Sequence, residues 1–300
     1  MKKIVGITGT TCVGKSEVAV ILAKRLNAEV VSADSMQIYR GMDIGTAKIS
    51  EQEMQGVPHY MIDVVNPNEE YSSFEYSRSA SKIIDGLDAL PIVVGGTGFY
   101  FDSLLYPPEF GAGDKHRRLE LQEMHRTEGL GALCELLKRL DEDSYNGIDL
   151  KNPVRVIRAI EIAESGGKRA GGKGKVNPRY DCKLFVLQRN RQDLFEKIDR
   201  RVDEMVERGL VAEVQRMIDN YGVCNTSAFS AIGYKEIIAH LQGNCSLVDA
   251  IEQIKLHTRH YAKRQLTYFK KMNVCRFVDV DELSAVEAAD VICKELEGFC

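Results

Sequence analysis

The stretch Gly9-Thr10-Thr11-Cys12-Val13-Gly14-Lys15-Ser16 constrains this 300-residue chain more than any other. It has the phosphate-loop spacing of Gly, four variable residues, then Gly-Lys-Ser/Thr. Ahead of it Lys3 to Thr8 is short, apolar and β-branched, as in a buried strand. Behind it Glu17 to Leu26 sets Val18, Ile21, Leu22 and Leu26 on one helical face. Strand, loop and helix in that order predict backbone N–H groups converging on an anion, with Lys15 adding a full positive charge. The Ser16 hydroxyl would ligate magnesium or a phosphate oxygen. The fold class that follows is α/β: a mostly parallel sheet of the phosphate-loop type, flanked by helices.

More of the sheet is readable downstream. Glu29 to Ser32 predicts a second strand, so that Asp34 stands at the carboxyl end of a strand neighbouring the phosphate loop, where open α/β sheets hold ligands. Residues 36–71 are punctuated by Gly and Pro and read as irregular. Pro91 to Val94 predicts a third strand that runs into Gly95-Gly96-Thr97-Gly98. A nucleotide hydrolase commonly ends such a strand in a metal-binding Asp. Here the glycines would instead let a ligand approach the backbone closely.

From Asp114 the pattern turns to helices alone. Asn152-Pro153 opens one of them, a cap followed by proline in the first turn. Arg155 and Arg158, three apart on it, share a flank suited to a phosphate backbone. Gly166 to Lys175 reads as a flexible basic loop. Lys183 to Leu187 then resumes the sheet. The expected organisation is a catalytic core of residues 1–113 and 181–300, interrupted by a helical insertion domain over 114–180 that contacts nucleic acid. Ser246 with Asp249 predicts a capping box opening a long helix to about residue 272, and Ser284 with Glu287 predicts another.

A formal charge of −4 hides segregation. Residues 165–191 carry eight Lys/Arg against one acid, and residues 253–278 carry seven and none. Two such tracts fit a polyanionic partner. In the second, Tyr261, Tyr268 and Phe269 lie among the cations, an arrangement able to stack on unpaired bases. The eight cysteines show no C-x-x-C and no zinc-site spacing, so reduced thiols in a cytoplasmic protein are expected. No apolar run approaches a membrane span, and the N-terminus is too short in apolar residues for a signal peptide.

Two chemistries fit one cleft holding the phosphate loop, Asp34 and the Gly95–Gly98 turn. A small-molecule kinase would fill the loop with ATP phosphates and use Asp34 on a substrate hydroxyl. An alkyl transferase would hold the diphosphate leaving group in the loop and use Asp34 to take the proton from an incoming nucleophile. Composition leaves both open.

Beyond the loop, seven blocks occur in order: Asp34-Ser35-Met36-Gln37-Ile38-Tyr39; Gly41 to Lys48; Pro58-His59 with Asp63; Gly95 to Tyr100; Asn152-Pro153-Val154-Arg155 with Arg158-Ala159 and Glu161; Gly233-Tyr234-Lys235-Glu236; and Thr258 to Gln265 with Thr267. Together they resemble the tRNA dimethylallyltransferase (isopentenyltransferase) family over nearly the whole chain. The resemblance implies transfer of a dimethylallyl group from dimethylallyl diphosphate to the exocyclic N6 amine of the adenosine 3′ of the tRNA anticodon. It implies Asp34 as general base, Thr97 near the reacting centre and Lys235 facing the diphosphate. Gly9 to Ser16 would bind the diphosphate, with Mg2+ on Ser16. Asp34, Ser35, Met36, Gln37 and Thr97, with Arg118, Arg155, Arg158, Arg259, Lys263, Arg264 and Gln265, would bind tRNA. A monomer is the expected state. Thr10 and Ser16 stand where the family commonly has Pro and Thr, Lys235 where some members have Arg, and Tyr268 where an indole is frequent. The chain ends without the zinc-finger extension of eukaryotic members, which implies a bacterial-type enzyme. Adenylate isopentenyltransferases, which prenylate free nucleotides, are the related alternative.

Overall fold

A computed structural model describes residues 1–106, 114–166, 178–272 and 274–299. The chain divides into two compact units, Met1–Leu105 with Arg179–Cys300, and Tyr106–Pro178. The first unit begins with β1 (Lys3–Gly9), α1 (Lys15–Leu26), β2 (Glu29–Ser32), α2 (Glu51–Met54), β3 (His59–Tyr60), α3 (Ser73–Gly86), β4 (Pro91–Val94) and α4 (Gly98–Leu105). The second unit holds α5 (Lys115–Glu128), α6 (Leu130–Leu140), α7 (Glu142–Gly147) and α8 (Pro153–Glu164). The first unit then resumes with β5 (Asp181–Gln188), α9 (Arg191–Glu207), α10 (Leu210–Tyr221), α11 (Tyr234–Leu241), α12 (Leu247–Phe269), β6 (Cys275–Asp279) and α13 (Ala285–Glu295).

The six strands form one sheet in the order β3-β2-β4-β1-β5-β6, with every described pairing parallel. The central strand β1 lies between β4 and β5, and Ile4, Val5 and Ile7 are fully buried, as a strand covered on both faces requires. One core packs β1 and β5 side chains against α1 and α13 through Val18, Leu22, Phe185 and Ile292. A second gathers Ile38, Tyr39 and Met42 with Val214, Tyr234 and Ile254 from α10, α11 and α12. The excursion leaves at Leu105 and returns at Arg179, whose N–H donates to the Leu105 carbonyl at 2.7 Å. The second unit has a small core of its own built from Leu121, Leu133, Leu137, Val156 and Ile160.

Several expectations are met locally. Asn152 caps α8 with Pro153 in the first turn, and Ser246 and Ser284 form full capping boxes. Others are revised. The stretch 36–71 is not wholly irregular: it contains α2 and the two-residue edge strand β3, too short to show alternation. Helix α4 carries no readable start signal, since it opens on glycine inside an apolar run. β2 does not neighbour the phosphate loop's strand, because β4 lies between them. The basic loop expected over 166–175 falls, from 167 on, outside the described residues. No helix among the described residues is long and apolar enough to cross a membrane.

Candidate active site

The loop after β1 wraps onto α1, where Gly14 is the N-cap with φ 96° and Cys12 adopts φ 62°. Val13 is buried, fixing the loop to the core, while the Lys15 Nζ reaches back to donate to the Thr10 carbonyl at 2.7 Å. Asp34 approaches from β2. Its Oδ1 accepts from the Met36 N–H at 2.9 Å and the Gln37 N–H at 3.4 Å, a turn that fixes the carboxylate plane. Thr97 stitches the same turn to β4: its Oγ1 accepts from the Ser35 N–H at 3.0 Å and donates to the Ser35 Oγ at 3.2 Å.

The intervening β4 explains the glycines. A Cβ on Gly95 would run into the Ala33 backbone, and one on Gly96 into the Gln265 amide. Only a bare backbone lets the chain pass between Asp34 and the phosphate loop without separating them. Gln265 from α12 completes the seam. Its Oε1 accepts from the Thr11 N–H at 2.9 Å and its Nε2 donates to the Gly96 carbonyl at 3.0 Å. Expected among the RNA-positioning residues, it is buried with both ends of its amide engaged in holding two active-site loops together.

Thr11, Cys12, Lys15 and Asp34 line a cavity of about 420 Å3. Ile198, Val202, Met205, Ile232 and Ile254 line its apolar part, and Lys235, Tyr261 and Arg264 also face it. A second, more polar cavity of about 380 Å3 shares those four residues and extends past Ser16 to Glu53 and Gln55. Ser35 and Met36 line the first and Gln37 the second. Burial first, and the Asp34 charge second, raise the Tyr261 phenol, so it remains a donor.

Loss of water pushes the Lys15 ammonium down from an ordinary 10.5 to about 8, with Arg201 adding to the lowering and Asp34 and Cys12 opposing it. The charged form is the one that attracts phosphate, so binding of inorganic diphosphate to the metal-free protein should weaken as pH rises through about 8. Calorimetry at pH 7 and pH 9 checks this, with Lys15→Met losing that limb. In folding the sign is opposite: between about 8 and 10.5 the unfolded chain holds more protons at Lys15, so this group's penalty on stability is relieved as pH rises.

Magnesium fits the donors present. A pocket of about 30 Å3 lies among Ser16, Ser32, Asp34, Gln37 and His59, room for a water-sized occupant beside oxygen donors. Among the described residues no group of three or more His, Cys, Asp or Glu is placed to cage an ion. The Ser16 hydroxyl with waters and substrate phosphate is the mode this hard cation favours.

The remaining expected residues fall into two sets. His260, Lys263, Arg264, Thr267 and Tyr268 of α12, with Lys271 just past its end, line a groove of about 440 Å3. Arg259 is turned away from it, paired with Asp199 and lying over the Phe195 ring. The aromatic expectation shifts too. Phe269 is buried and Tyr268 donates to Asp102 at 2.8 Å, so the exposed ring is Phe99, edge-on to Tyr268. In the second unit, Arg118 and Arg158 both grip the buried Glu161, at 2.8 and 3.0 Å. Burial alone would raise that carboxyl, but the two guanidinium groups outweigh it and hold it low. Arg155 lies 3.8 Å from Asp149.

Two residues had no signal in the sequence. Glu213 on α10 is 2% exposed and accepts from the N–H groups of Asp43, Ile44 and Gly45 and from the Tyr234 hydroxyl, pinning the loop that carries Thr46 and Ala47 to the cavity wall. Arg201 on α9 faces both cavities.

A parallel sheet, a phosphate loop and a carboxylate sharing a half-apolar cavity define a phosphate-loop α/β group-transfer enzyme. The family described as IPP transferase matches residues 37–272, and isopentenyl transferase matches residues 2–66. The tRNA dimethylallyltransferase of Caldanaerobacter subterraneus subsp. tengcongensis is 46% identical over 297 residues, covering 95% of this chain and 94% of that one. The full-length tRNA isopentenylpyrophosphate transferase structure from Bacillus halodurans is similar at 38% identity and TM-score 0.74, over 99% of this chain and 98% of that one. A eukaryotic dimethylallyltransferase, whose structures are described as acting on tRNA, superimposes with TM-score 0.86 at 29% identity, over 99% of this chain and 80% of that one. The chain belongs to the IPP transferase family.

Proposed function

We propose that this protein is a tRNA dimethylallyltransferase, moving the dimethylallyl group of dimethylallyl diphosphate to the N6 amine of the adenosine 3′ of the anticodon. The observation that carries the reading is one cavity lined both by the phosphate loop with Asp34 and by the apolar side chains Ile198, Val202, Met205, Ile232 and Ile254. A diphosphate with a branched five-carbon tail has that polarity.

The adenine amine is a weak nucleophile because its lone pair is delocalised into the ring. The N6–carbon bond forms as the carbon–oxygen bond of the donor breaks, and the electron pair of the broken bond leaves on diphosphate. The N6 proton goes to Asp34, whose second oxygen is not held by the Met36 and Gln37 N–H groups. Loop N–H groups and Lys15 stabilise the charge growing on the leaving group. Magnesium, when bound at Ser16, would neutralise part of the same charge. Thr97 holds the Asp34 turn in place and Lys235 adds a cation to the cavity.

The adenine has to leave the anticodon-loop stack to reach this depth. The α12 groove with Lys263 and Arg264, and the Arg118, Arg155 and Arg158 cluster of the helical insertion, would hold the RNA backbone. The protein would act as a monomer in the cytoplasm.

Incubation with dimethylallyl diphosphate, magnesium and either unmodified tRNA or adenosine monophosphate tests the reading. Prenylated tRNA and untouched mononucleotide are expected. Prenylation of the mononucleotide alone would replace tRNA with a free nucleotide acceptor, and phosphate transfer from ATP without prenyl transfer would reinstate the kinase.

A further inference from the structure

We propose that Phe99 is a base-stacking residue for the RNA, its exposed ring receiving an unpaired base next to the flipped acceptor; this rests on the tRNA reading above. On α4 the side chains of Tyr100, Phe101, Leu104 and Leu105 are buried, whereas Phe99 is 66% exposed. A single exposed apolar side chain is ordinary in itself. What sets Phe99 apart is where the fold seats it.

Gly98 brings the start of α4 directly onto Tyr268, since a Cβ there would run into the Tyr268 ring. Tyr268 is held in turn by its hydrogen bond to Asp102 at 2.8 Å and by edge contact with the buried Phe269. Phe99 meets this fixed ring edge-on, with centroids 5.1 Å apart and planes at 64°. A ring backed in this way gives up little side-chain freedom when it stacks. Tyr268 also lines the α12 groove with His260, Lys263, Arg264, Thr267 and Lys271, and no acid is among those lining residues. Arg264 lines both that groove and the larger cavity, so the two meet at this residue. In sequence Phe99 stands two positions past Thr97, which holds the Asp34 turn.

An apolar ring beside a cationic groove suits a single strand, with a base on the ring and phosphates on Lys263 and Lys271. Flipping gives this contact its purpose. When the acceptor adenine leaves the loop stack, its two neighbours lose a stacking partner, and an aromatic side chain restores one of those contacts. Stacking of this kind tolerates any base, because every base has a π face.

The test measures binding of an anticodon stem-loop to wild type, Phe99→Ala and Phe99→Tyr, with each nucleotide flanking the acceptor intact or made abasic in turn. In Phe99→Ala the Kd should rise about tenfold, as loss of one base–aromatic stack predicts, while Phe99→Tyr stays within about twofold of the wild type. The Ki of inorganic diphosphate should be unchanged in both variants. At one flanking position, base removal should weaken wild-type binding about as much as Phe99→Ala does, and the two changes together should cost no more than either alone. Wild-type affinity in a folded Phe99→Ala protein would overturn the proposal, as would additive penalties at both abasic positions. A diphosphate Ki that rises in parallel with Kd would also overturn it, by marking Phe99 as a structural residue. A wild-type protein that neither binds the stem-loop nor prenylates tRNA would instead sink the tRNA reading itself.

Discussion

Asp34→Asn is expected to lower turnover by about a thousandfold while tRNA affinity stays within about twofold of the wild type. The amide oxygen can still accept from the Met36 and Gln37 N–H groups, so the turn that aims the side chain survives. Thr97 remains bonded to Ser35 and the cavity keeps its shape. What disappears is the ability to take a proton as the nitrogen–carbon bond forms. Single-turnover kinetics with prebound tRNA isolates that step. Normal turnover of bound substrate combined with lost tRNA binding would refute the assignment of Asp34 as base.

Glu213→Ala is the second large effect, and it acts on stability first. Removal of this side chain leaves three backbone N–H groups and one phenol without their acceptor in a site with little access to water. The expected cost is about 3–5 kcal/mol, the range for stripping a buried charged hydrogen-bond partner. Thermal melting should show it as a fall on the order of 10 °C. The Asp43–Lys48 loop should then hold Thr46 and Ala47 less firmly at the cavity wall, so the KM for the prenyl donor rises. Tyr234→Phe removes only one of the four donors and should cost about 1 kcal/mol. A Glu213→Ala protein melting within a degree of the wild type would show that the loop finds other acceptors.

Legibility in the sequence followed the range of the contacts. The phosphate loop was readable because consecutive N–H groups can surround an anion only at fixed local spacing. The capping boxes at Ser246 and Ser284 were readable because each closes within three residues. Asp34 was correctly assigned to a strand end, yet its distance from the loop in the sheet order was not, since β4 inserts itself from sixty residues further on. Gln265 shows the limit most clearly. The two residues before it, Lys263 and Arg264, are exposed cations, but its amide bonds Thr11, 254 positions away. Tyr268 and Phe269 stand among lysines, and packing against α4 decides that Phe99 holds the exposed ring.

By itself, then, the sequence determined that β1 ends in an anion cradle, that a carboxylate and a glycine turn each stand at the end of a strand, and to which family the chain is related. Those are matters of local backbone geometry and ordered motifs. Only the tertiary structure decided what the cavity is made of. Arg201 and Glu213 come from helices with no motif, because a helix's period tells which residues share a face but not which cavity that face meets. Burial, ion pairing and the crossing of β4 between Asp34 and the loop are set by residues dozens to hundreds of positions apart, and the packed sheet brings them together.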